Sequence, residues 1–445
     1  MTESIADIKE LLNKNALWQA WLDVESSLAQ VQAELGIIPE EAAREIALKA
    51  NLDFIDTVKL SKDVKRTKAP IVSLTRLLVA ACDKDYGDYV HWGATTQNII
   101  QTGRILQIRK VHRLTRHQFG LSLTALADLA EQGSEMIMAG RTQRRQALPI
   151  TFGFKAAGWI DELLRHLERF DQFEPRFFCL QFGGAIGAMQ SFGEYGPEIN
   201  RRLGDMLGLS PLKVSARSAG DFLAEYVTTM ALYATTCSKI AQELYTLMAD
   251  EFGEVSEGQE DGVVGSSTMP QKVNSKVACN IITVAARIRS QIGLAFEGMQ
   301  SSHEGDAANN KMMSEAIDTV CTAAYEITVD LKVLLSNLTL HPERMVKNLR
   351  QTNGLIVAEN VMMILAPILG RQTAHDVLHE AAHKAQENKR NIYDVLAAEP
   401  VINENLSQEV LRSSLDPANY IGHCVRITED CIERARAGAK KLGND

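Results

Sequence analysis

The stretch GSSTMPQKVNS, residues 265–275, interrupts a part of the chain that otherwise favours long helices. Pro270 is the only proline between Pro211 and Pro342. Because an internal proline removes a hydrogen bond and bends a helix, a long region without proline is typical of long helices. Glycines cluster around the stretch, at positions 253, 258, 262 and 265, and this composition favours a loop. The sequence therefore predicts a bundle of long helices that is broken once, by a glycine-rich loop.

Apolar residues along 105–129 recur at steps of three to five, which places them near one face of a helix. They are Ile105, Ile108, Val111, Leu114, Phe119, Leu123, Leu126 and Leu129. Good helix formers dominate the remaining positions, and no run of alternating β-branched residues ends in an Asn-Gly turn. The chain is therefore predicted to be mainly α-helical. We divide it into a helical N-terminal domain (1–103), a central bundle of long helices (104–345) that carries the loop at 258–275, and a helical C-terminal domain (346–445).

Composition narrows the class of protein. The 445 residues carry a formal net charge of -9, which disfavours a nucleic-acid partner because such proteins usually present a basic face. The seven cysteines are scattered, with no CxxC pair, a pattern typical of reduced thiols. The N-terminal residues are polar, and no uncharged run approaches the length of a membrane span. We expect a soluble, cytoplasmic protein.

The loop also carries groups that suit proton abstraction. Lys272 and Asn274 follow Ser266 by six and eight residues. A serine can act as a base only if its oxyanion is stabilised, and an ammonium, amides and backbone N–H groups in a dry site supply that stabilisation. The same lysine and asparagine could hold a substrate carboxylate while it takes on the charge of a carbanion. The alternative is a serine that only satisfies the backbone of its own loop.

Three segments together resemble one family. GSSTMPQKVNS is similar to GSSxMPxKxNP, the signature of the fumarase/aspartase superfamily, with serine at 275 in place of the last proline. HWGATTQNIIQTG (91–103) resembles the family's first block, HxGxTSxD, and GRTQRRQALPITFGFKAAGW (140–159) resembles its second block, around a Thr-His pair. On these segments the chain is identified as a member of that superfamily, in the branch of adenylosuccinate lyases and 3-carboxy-cis,cis-muconate cycloisomerases.

The resemblance implies a role for each matching residue. Ser266 matches the catalytic base, and His91 matches a histidine near the substrate in adenylosuccinate lyases. The positions implied to bind substrate are Lys272, Asn274, Met269, Thr95, Thr96, Thr142 and Gln143, and we add Arg144 from the cluster Arg141, Arg144 and Arg145. Those arginines could instead be solvated or lie in a subunit interface. The resemblance further implies a homotetramer with a large helical core, active sites built from three chains, a small di- or tricarboxylate substrate, and no metal or organic cofactor.

Departures from the family pattern leave the reaction open. Gln143 replaces the histidine often assigned as general acid, and glutamine cannot deliver a proton in that way. Either the leaving group needs no strong acid, or another residue such as His91 takes over. ALPITFGFKAAGW looks most like the cycloisomerase branch, but that branch's Trp-His-rich stretch is absent, and so is the Arg-Tyr pair of purine-specific lyases. Ser275 in place of proline is expected to loosen the hinge of the loop.

The resulting prediction is a carbon-nitrogen lyase that cleaves an N-substituted aspartate to fumarate and an amine. A carboxymuconate cycloisomerase is the alternative, and a family member that has lost its chemistry is a third interpretation.

A rival from another class of enzyme rests on HEAAH (379–383), an HExxH pattern. On a helix this pattern places His379 and His383 on one face with His375 one turn earlier, as in zinc hydrolases. The polar stretch 301–313 could border the substrate through Asn309, Asn310 and Lys311, or it could be a plain connection between helices.

Overall fold

The computed structural model describes residues 5–258, 268–269 and 272–443. It is 73% helical, which confirms the predicted mainly α-helical class. The α-helices are α1 (Ile5–Leu11), α2 (Lys14–Glu34), α3 (Glu40–Lys49), α4 (Thr57–Thr67), α5 (Pro70–Ala81), α6 (Thr96–Gln132), α7 (Phe152–Phe177), α8 (Gly196–Leu207), α9 (Asp221–Leu247), α10 (Val277–Arg289), α11 (Gln291–Met299), α12 (Ala307–Ser336), α13 (Pro342–Leu349), α14 (Ala358–Leu369), α15 (Arg371–Glu387), α16 (Ile392–Leu396), α17 (Pro400–Asn405), α18 (Gln408–Ser414) and α19 (Cys424–Leu442).

Short strands pair two by two within the described residues. β1 (Ile137–Thr142) and β2 (Arg145–Thr151) form an antiparallel hairpin whose register shifts between Ala139 and Arg141. The parallel pair is β3 (Cys179–Leu180) with β4 (Ser210–Pro211), and the second antiparallel pair is β5 (Val255–Glu257) with β6 (Leu338–Leu340). The hairpin was not predicted from the sequence, and it presents the second block of the family resemblance.

The long helices predicted for the middle of the chain are present. α6, α9 and α12 contain 37, 27 and 30 residues. In α6 the predicted apolar stripe is buried at every position except Leu114, which is half-buried. The tertiary contacts group the chain into two compact units, one made of 1–118, 166–235 and 283–328 and the other of 119–165, 236–282 and 329–445. The three domains that we divide at 103 and 345 stay a prediction.

The first unit has an aromatic core where α7 meets α9. Phe177 stacks on Tyr226 with ring centroids 4.4 Å apart, and Phe173 meets both rings edge-on. Such aromatic pairs each contribute about 0.5–1.5 kcal/mol beyond the burial of their area. The core fixes the α7 and α9 segments of this unit against each other.

The second unit has an aliphatic core built by its C-terminal helices. Val361, Leu365, Leu378 and Leu411 are among its buried side chains. A smaller cluster joins Ala139 of β1 to buried residues of the 349–357 region, namely Leu349, Ile356 and Val357. The base of the hairpin is thereby packed on an apolar support, which leaves its far end to face outward.

Among the described residues no single helix is both long and apolar enough to cross a bilayer, although one pair bent by 83°, Pro342–Thr352 with Leu355–Leu369, would be by length and composition.

Candidate active site

The segment that matches the first family block, residues 91–96, is fixed on both sides by hydrogen bonds to its backbone. Gln32 of α2 donates from Nε2 to the carbonyl oxygen of Trp92 at 2.8 Å, and Ser191 donates from Oγ to the carbonyl oxygen of Gly93 at 2.5 Å. Gly93 has a φ of +74°, and a Cβ there would lie 2.7 Å from the ring of Phe192. Glycine is therefore required at this position, both for its backbone conformation and for space.

His91 begins this segment and pairs with a buried carboxylate. Its Nδ1 lies 2.6 Å from Oε1 of Glu25 on α2. The Glu25 side chain is 1% exposed and the His91 side chain 23%. Burial of the ring alone would lower the pKa of His91, but the hydrogen bond and the charge of Glu25 act in the other direction, and the net pKa is raised above its ordinary value. The pairing with Glu25 therefore favours the protonated imidazolium form of His91.

Thr95 and Thr96 lie where α6 begins, and both are half-buried. The start of α6 is secured by Asn98, whose amide donates to the carbonyl oxygen of Gln181 at 3.2 Å and accepts from the N–H of Gly184 at 3.0 Å. The first N–H groups of a long helix and its dipole together favour a bound anion. Two threonine hydroxyls at this place suit the binding of a carboxylate.

The hairpin tip, residues 142–145, carries the residues of the second family block. Thr142, Gln143, Arg144 and Arg145 are all exposed. Gln143 and Arg144 both have positive φ, 49° and 62°, the backbone of a two-residue turn that usually takes Asn-Gly. A positive φ at a residue other than glycine strains the backbone, and the strain persists only where the surrounding structure imposes it. The fold thus holds the tip in a defined turn with its polar side chains exposed.

Arg141, at the edge of the tip, is bound to the protein itself. Its guanidinium donates to both carboxylate oxygens of Glu254, at 2.6 and 3.0 Å, and lies 4.9 Å from the ring centroid of Phe252. Glu254 is fully buried and also accepts from Nδ2 of Asn348 at 2.8 Å. Of the three arginines expected as possible carboxylate ligands, Arg141 therefore secures the hairpin, and Arg144 and Arg145 remain candidates for binding a substrate.

The signature loop is described only in part. Ser266, the predicted base, and Pro270 lie outside the described residues. Met269, Lys272 and Asn274 are described and exposed, and the N–H of Lys272 donates to the carbonyl oxygen of Met269 at 3.0 Å. This bond holds the backbones of Met269 and Lys272 close together.

The end of the signature loop is anchored by Glu257, the last residue of β5. Its carboxylate accepts from the hydroxyl of Ser275 at 2.5 Å and from the backbone N–H groups of Lys276 and Val277 at 3.1 Å each, with a longer contact to that of Ala278. The acid therefore caps the first turn of α10, where a negative charge is favoured. Ser275, expected to loosen the hinge, provides a hydrogen bond that a proline cannot make.

One short segment supports both the hairpin and the loop. Glu254 binds the hairpin through Arg141, and Glu257, three residues later, binds the end of the signature loop through Ser275. β5 pairs with β6 between these anchors. In the second unit, residues 254–257 thus hold both the hairpin and the end of the signature loop, the two elements of this unit that are predicted to bind substrate. His91, Thr95 and Thr96 belong to the first unit.

Asn309, Asn310 and Lys311 lie in the first turns of α12. Asn309 donates from Nδ2 to the carbonyl oxygen of Glu297 at 2.7 Å, so it ties α12 to the end of α11. Asn310 lines a cavity of about 250 Å³ with Gln97 and Gln101 of α6. Lys311 is exposed. Of the three candidates, Asn310 is placed near residues that directly follow Thr96.

The HExxH pattern lies in the middle of α15. His375, His379, Glu380 and His383 are all exposed on that helix. His375 stacks on His379, and His383 pairs with Glu387. Across the described residues no cluster of three or more His, Cys, Asp or Glu side chains is arranged to hold a metal ion. This arrangement favours a solvated helical face over the hydrolase centre.

Three acids that hold these segments were missed by sequence reasoning, Glu25 in the first unit and Glu254 and Glu257 in the second. Glu25 left a signal, because it lies within the apolar stripe of α2 between Trp21 and Leu28, where a buried acid implies a partner. Glu254 and Glu257 left none, since their partners are distant in the sequence.

Comparisons with known proteins agree on one family. A family model described as lyase matches residues 5–290, and one described as adenylosuccinate lyase C-terminus matches residues 354–431. N-acetyl-S-(2-succino)cysteine lyase of Dickeya dadantii is 35% identical over 93% of this chain and 91% of the relative. Adenylosuccinate lyase of Methanothermobacter thermautotrophicus is 37% identical over 94% of both. The crystal structure of 3-carboxy-cis,cis-muconate lactonizing enzyme from Pseudomonas putida superposes with a TM-score of 0.89 at 28% identity, over 98% of both chains.

Proposed function

Because the chain belongs to the lyase family of the fumarase/aspartase superfamily, in the branch of adenylosuccinate lyases and 3-carboxy-cis,cis-muconate cycloisomerases, we propose that it releases fumarate from a 2-substituted succinate by β-elimination. The observation that carries this proposal is the stretch GSSTMPQKVNS, whose end is fixed to Glu257 by a network of hydrogen bonds. An anchored loop holds its lysine and asparagine in place, and a base in a dry site needs such fixed donors.

In this proposal Ser266 removes the proton from the carbon next to one carboxylate. The carbanion is drawn into that carboxylate as an aci-carboxylate dianion. Lys272 and Asn274 stabilise the dianion, because their ammonium and amide donors meet the charge where it develops. Met269, whose carbonyl oxygen accepts a hydrogen bond from the N–H of Lys272, borders the site.

The second substrate carboxylate is assigned to the start of α6. Thr95 and Thr96 supply hydroxyls, and the helix end supplies N–H groups and a favourable dipole. From the hairpin tip, Thr142 and Gln143 donate further hydrogen bonds to the substrate and Arg144 supplies a cation for a carboxylate.

The leaving group is the substituent on the other carbon. An amine, leaving an N-substituted aspartate, is the first candidate. A thiol is the second, favoured by the resemblance to N-acetyl-S-(2-succino)cysteine lyase, since a thiolate leaves with less need for a proton than an amine anion does. With Gln143 unable to deliver a proton, His91 is the proposed acid. A cycloisomerase acting on a carboxymuconate would use the same carboxylate-binding groups.

The proposal is tested by running the reaction backwards. The purified protein is treated with a chelator and incubated with fumarate and a panel of amines, amino acids and thiols, and fumarate loss is followed by NMR. Consumption with one class of nucleophile supports the lyase and identifies the leaving atom, and activity after chelation supports the absence of a metal requirement. Turnover of 3-carboxymuconate without fumarate consumption would move the protein to the cycloisomerase reaction.

We further propose a homotetramer with sites shared among three chains. Mass photometry measures the subunit number. A mixture of Ser266→Ala and Thr142→Val proteins, dissociated and reassembled together, should regain part of the activity that each variant lacks. A monomer with full activity would contradict shared sites.

A further inference from the structure

The proposed reaction uses His91 as an acid but gives no role to Glu25, the buried carboxylate paired with it. A carboxylate that is 1% exposed lies 2.6 Å from a ring nitrogen of a half-buried histidine. Burying an acid is costly unless it is paired and hydrogen-bonded. The second oxygen of Glu25, Oε2, is buried and has no partner among the described residues. The fold thus keeps an acid here whose one hydrogen bond goes to His91.

Building on the proposed function, we propose that Glu25 is a positioning residue that fixes His91 through Nδ1 and thereby makes Nε2 the nitrogen that exchanges a proton with the leaving group. Glu25 itself touches no substrate in this scheme. A hydrogen bond to one ring nitrogen selects the tautomer and the orientation of the ring. With Nδ1–H donated to Glu25, Nε2 lies on the opposite side of the ring, and it has no hydrogen bond to any described residue.

The backbone of His91 supports a fixed role. Its φ of +63° is unusual for a residue other than glycine. The segment is kept in this conformation by the bonds from Gln32 and Ser191 to the two residues that follow. Strain of this kind persists only where the surroundings impose it. A histidine that merely filled space would not require it.

The electrostatic surroundings favour a charged ring. Glu25 on α2 is the one charged group among the described residues that acts on His91. In the part of the chain that the structure describes, the other side chains that bond to or lie against the segment are uncharged: Gln32 on α2, Ser191 and Phe192 shortly before α8, and Tyr89, whose ring meets Trp92. Because the acid stabilises the imidazolium, the pKa of His91 is raised despite burial.

Each proton and each bond of the elimination step can be followed from substrate to products. Ser266, as the alkoxide, takes the proton from carbon, the C–X bond breaks as the C=C bond forms, and Nε2–H of the imidazolium gives its proton to the departing heteroatom X. The products are fumarate and HX. The serine then holds one extra proton and the histidine lacks one, so a transfer through water restores both.

The test compares Glu25→Gln with a matched control. Glu174→Gln removes another carboxylate paired with a histidine, His112, in the same unit. Histidines are labelled with ¹³C, the His91 signal is assigned by its loss in His91→Gln, and its titration is followed by NMR. We expect Glu25→Gln to lower the pKa of His91 and to shift the alkaline limb of kcat to lower pH, with kcat down about tenfold or more at neutral pH and little change in KM. Glu174→Gln should leave both the titration and the limb unchanged.

The outcomes separate this inference from the proposed function. The His91 titration needs no turnover, so a change in Glu25→Gln supports the pairing even if every substrate fails. If fumarate is consumed while Glu25→Gln leaves the His91 pKa and the pH profile as in the wild type, Glu25 has no positioning role. Loss of thermal stability alone, with an unchanged profile, would likewise overturn it.

Discussion

Replacing Arg141 with methionine distinguishes an arginine that holds the hairpin from one that binds substrate. The variant keeps most of the apolar stem but removes two hydrogen bonds to the buried carboxylate of Glu254. Removing one partner of a buried ion pair costs about 3–5 kcal/mol, because a charge is left uncompensated. Glu254 keeps the bond from Asn348, and Arg141 is 16% exposed. We therefore expect the low end, about 3 kcal/mol.

The assay is urea unfolding at one protein concentration, followed by circular dichroism and tryptophan fluorescence. Arg145→Met, at the exposed tip, is the matched control and should leave the unfolding midpoint unchanged. The double variant Arg141→Met, Glu254→Leu should lose less than the sum of its single variants, because the uncompensated charge is gone. An unchanged midpoint in Arg141→Met together with a raised KM would show that Arg141 binds substrate and would refute the structural role.

The other predictions concern the signature loop and a buried histidine. Lys272→Met should lower kcat/KM by about 100- to 1000-fold without affecting stability, because the exposed loop cation proposed to stabilise the dianion is lost; unchanged kinetics would remove the lysine from the mechanism. Glu257→Ala removes every hydrogen bond that this carboxylate accepts from Ser275 and from the start of α10, and it should reduce kcat/KM more than Ser275→Ala, which removes one bond; equal effects would show that the cap does not position the loop. Burial lowers the pKa of His112 below its ordinary value of 6.5, so the unfolded chain binds the proton first, and stability present above about pH 6.5 should fall as the pH drops toward the folded pKa. In His112→Gln the slope of unfolding free energy over this range should be smaller by up to about 1.4 kcal/mol per pH unit, and an identical slope would contradict the assignment.

The helical class could be predicted because its signals are local. The apolar spacing along 105–129 depends only on the period of the helix, and the buried stripe of α6 follows it. The hairpin could not be predicted in the same way. Its register shifts between Ala139 and Arg141, which breaks the simple alternation that identifies a strand, and its turn is Gln143-Arg144 where Asn-Gly would be the recognisable signal.

The residues named for the site came from segments that are contiguous in the sequence. The hydrogen bonds and ion pairs that hold those segments in place could not be predicted, because each joins residues far apart along the chain. Glu25 meets His91 across 66 positions, and Arg141 meets Glu254 across 113. Spacing in a single sequence contains no information on such contacts. An acid inside an apolar stripe, as at Glu25, shows only that a partner must exist.

The central claim is that Ser266 removes the proton from the carbon next to one carboxylate of a 2-substituted succinate, and returns a proton to that carbon when the reaction runs from fumarate. The most direct measurement incubates the protein with fumarate and its nucleophile in D₂O and locates deuterium in the product by NMR. The account predicts one deuterium, on the carbon opposite the new C–X bond and with one configuration, from the wild type and none from Ser266→Ala. Product formed equally fast by Ser266→Ala, or deuterium placed on that carbon without stereochemical preference, would contradict it.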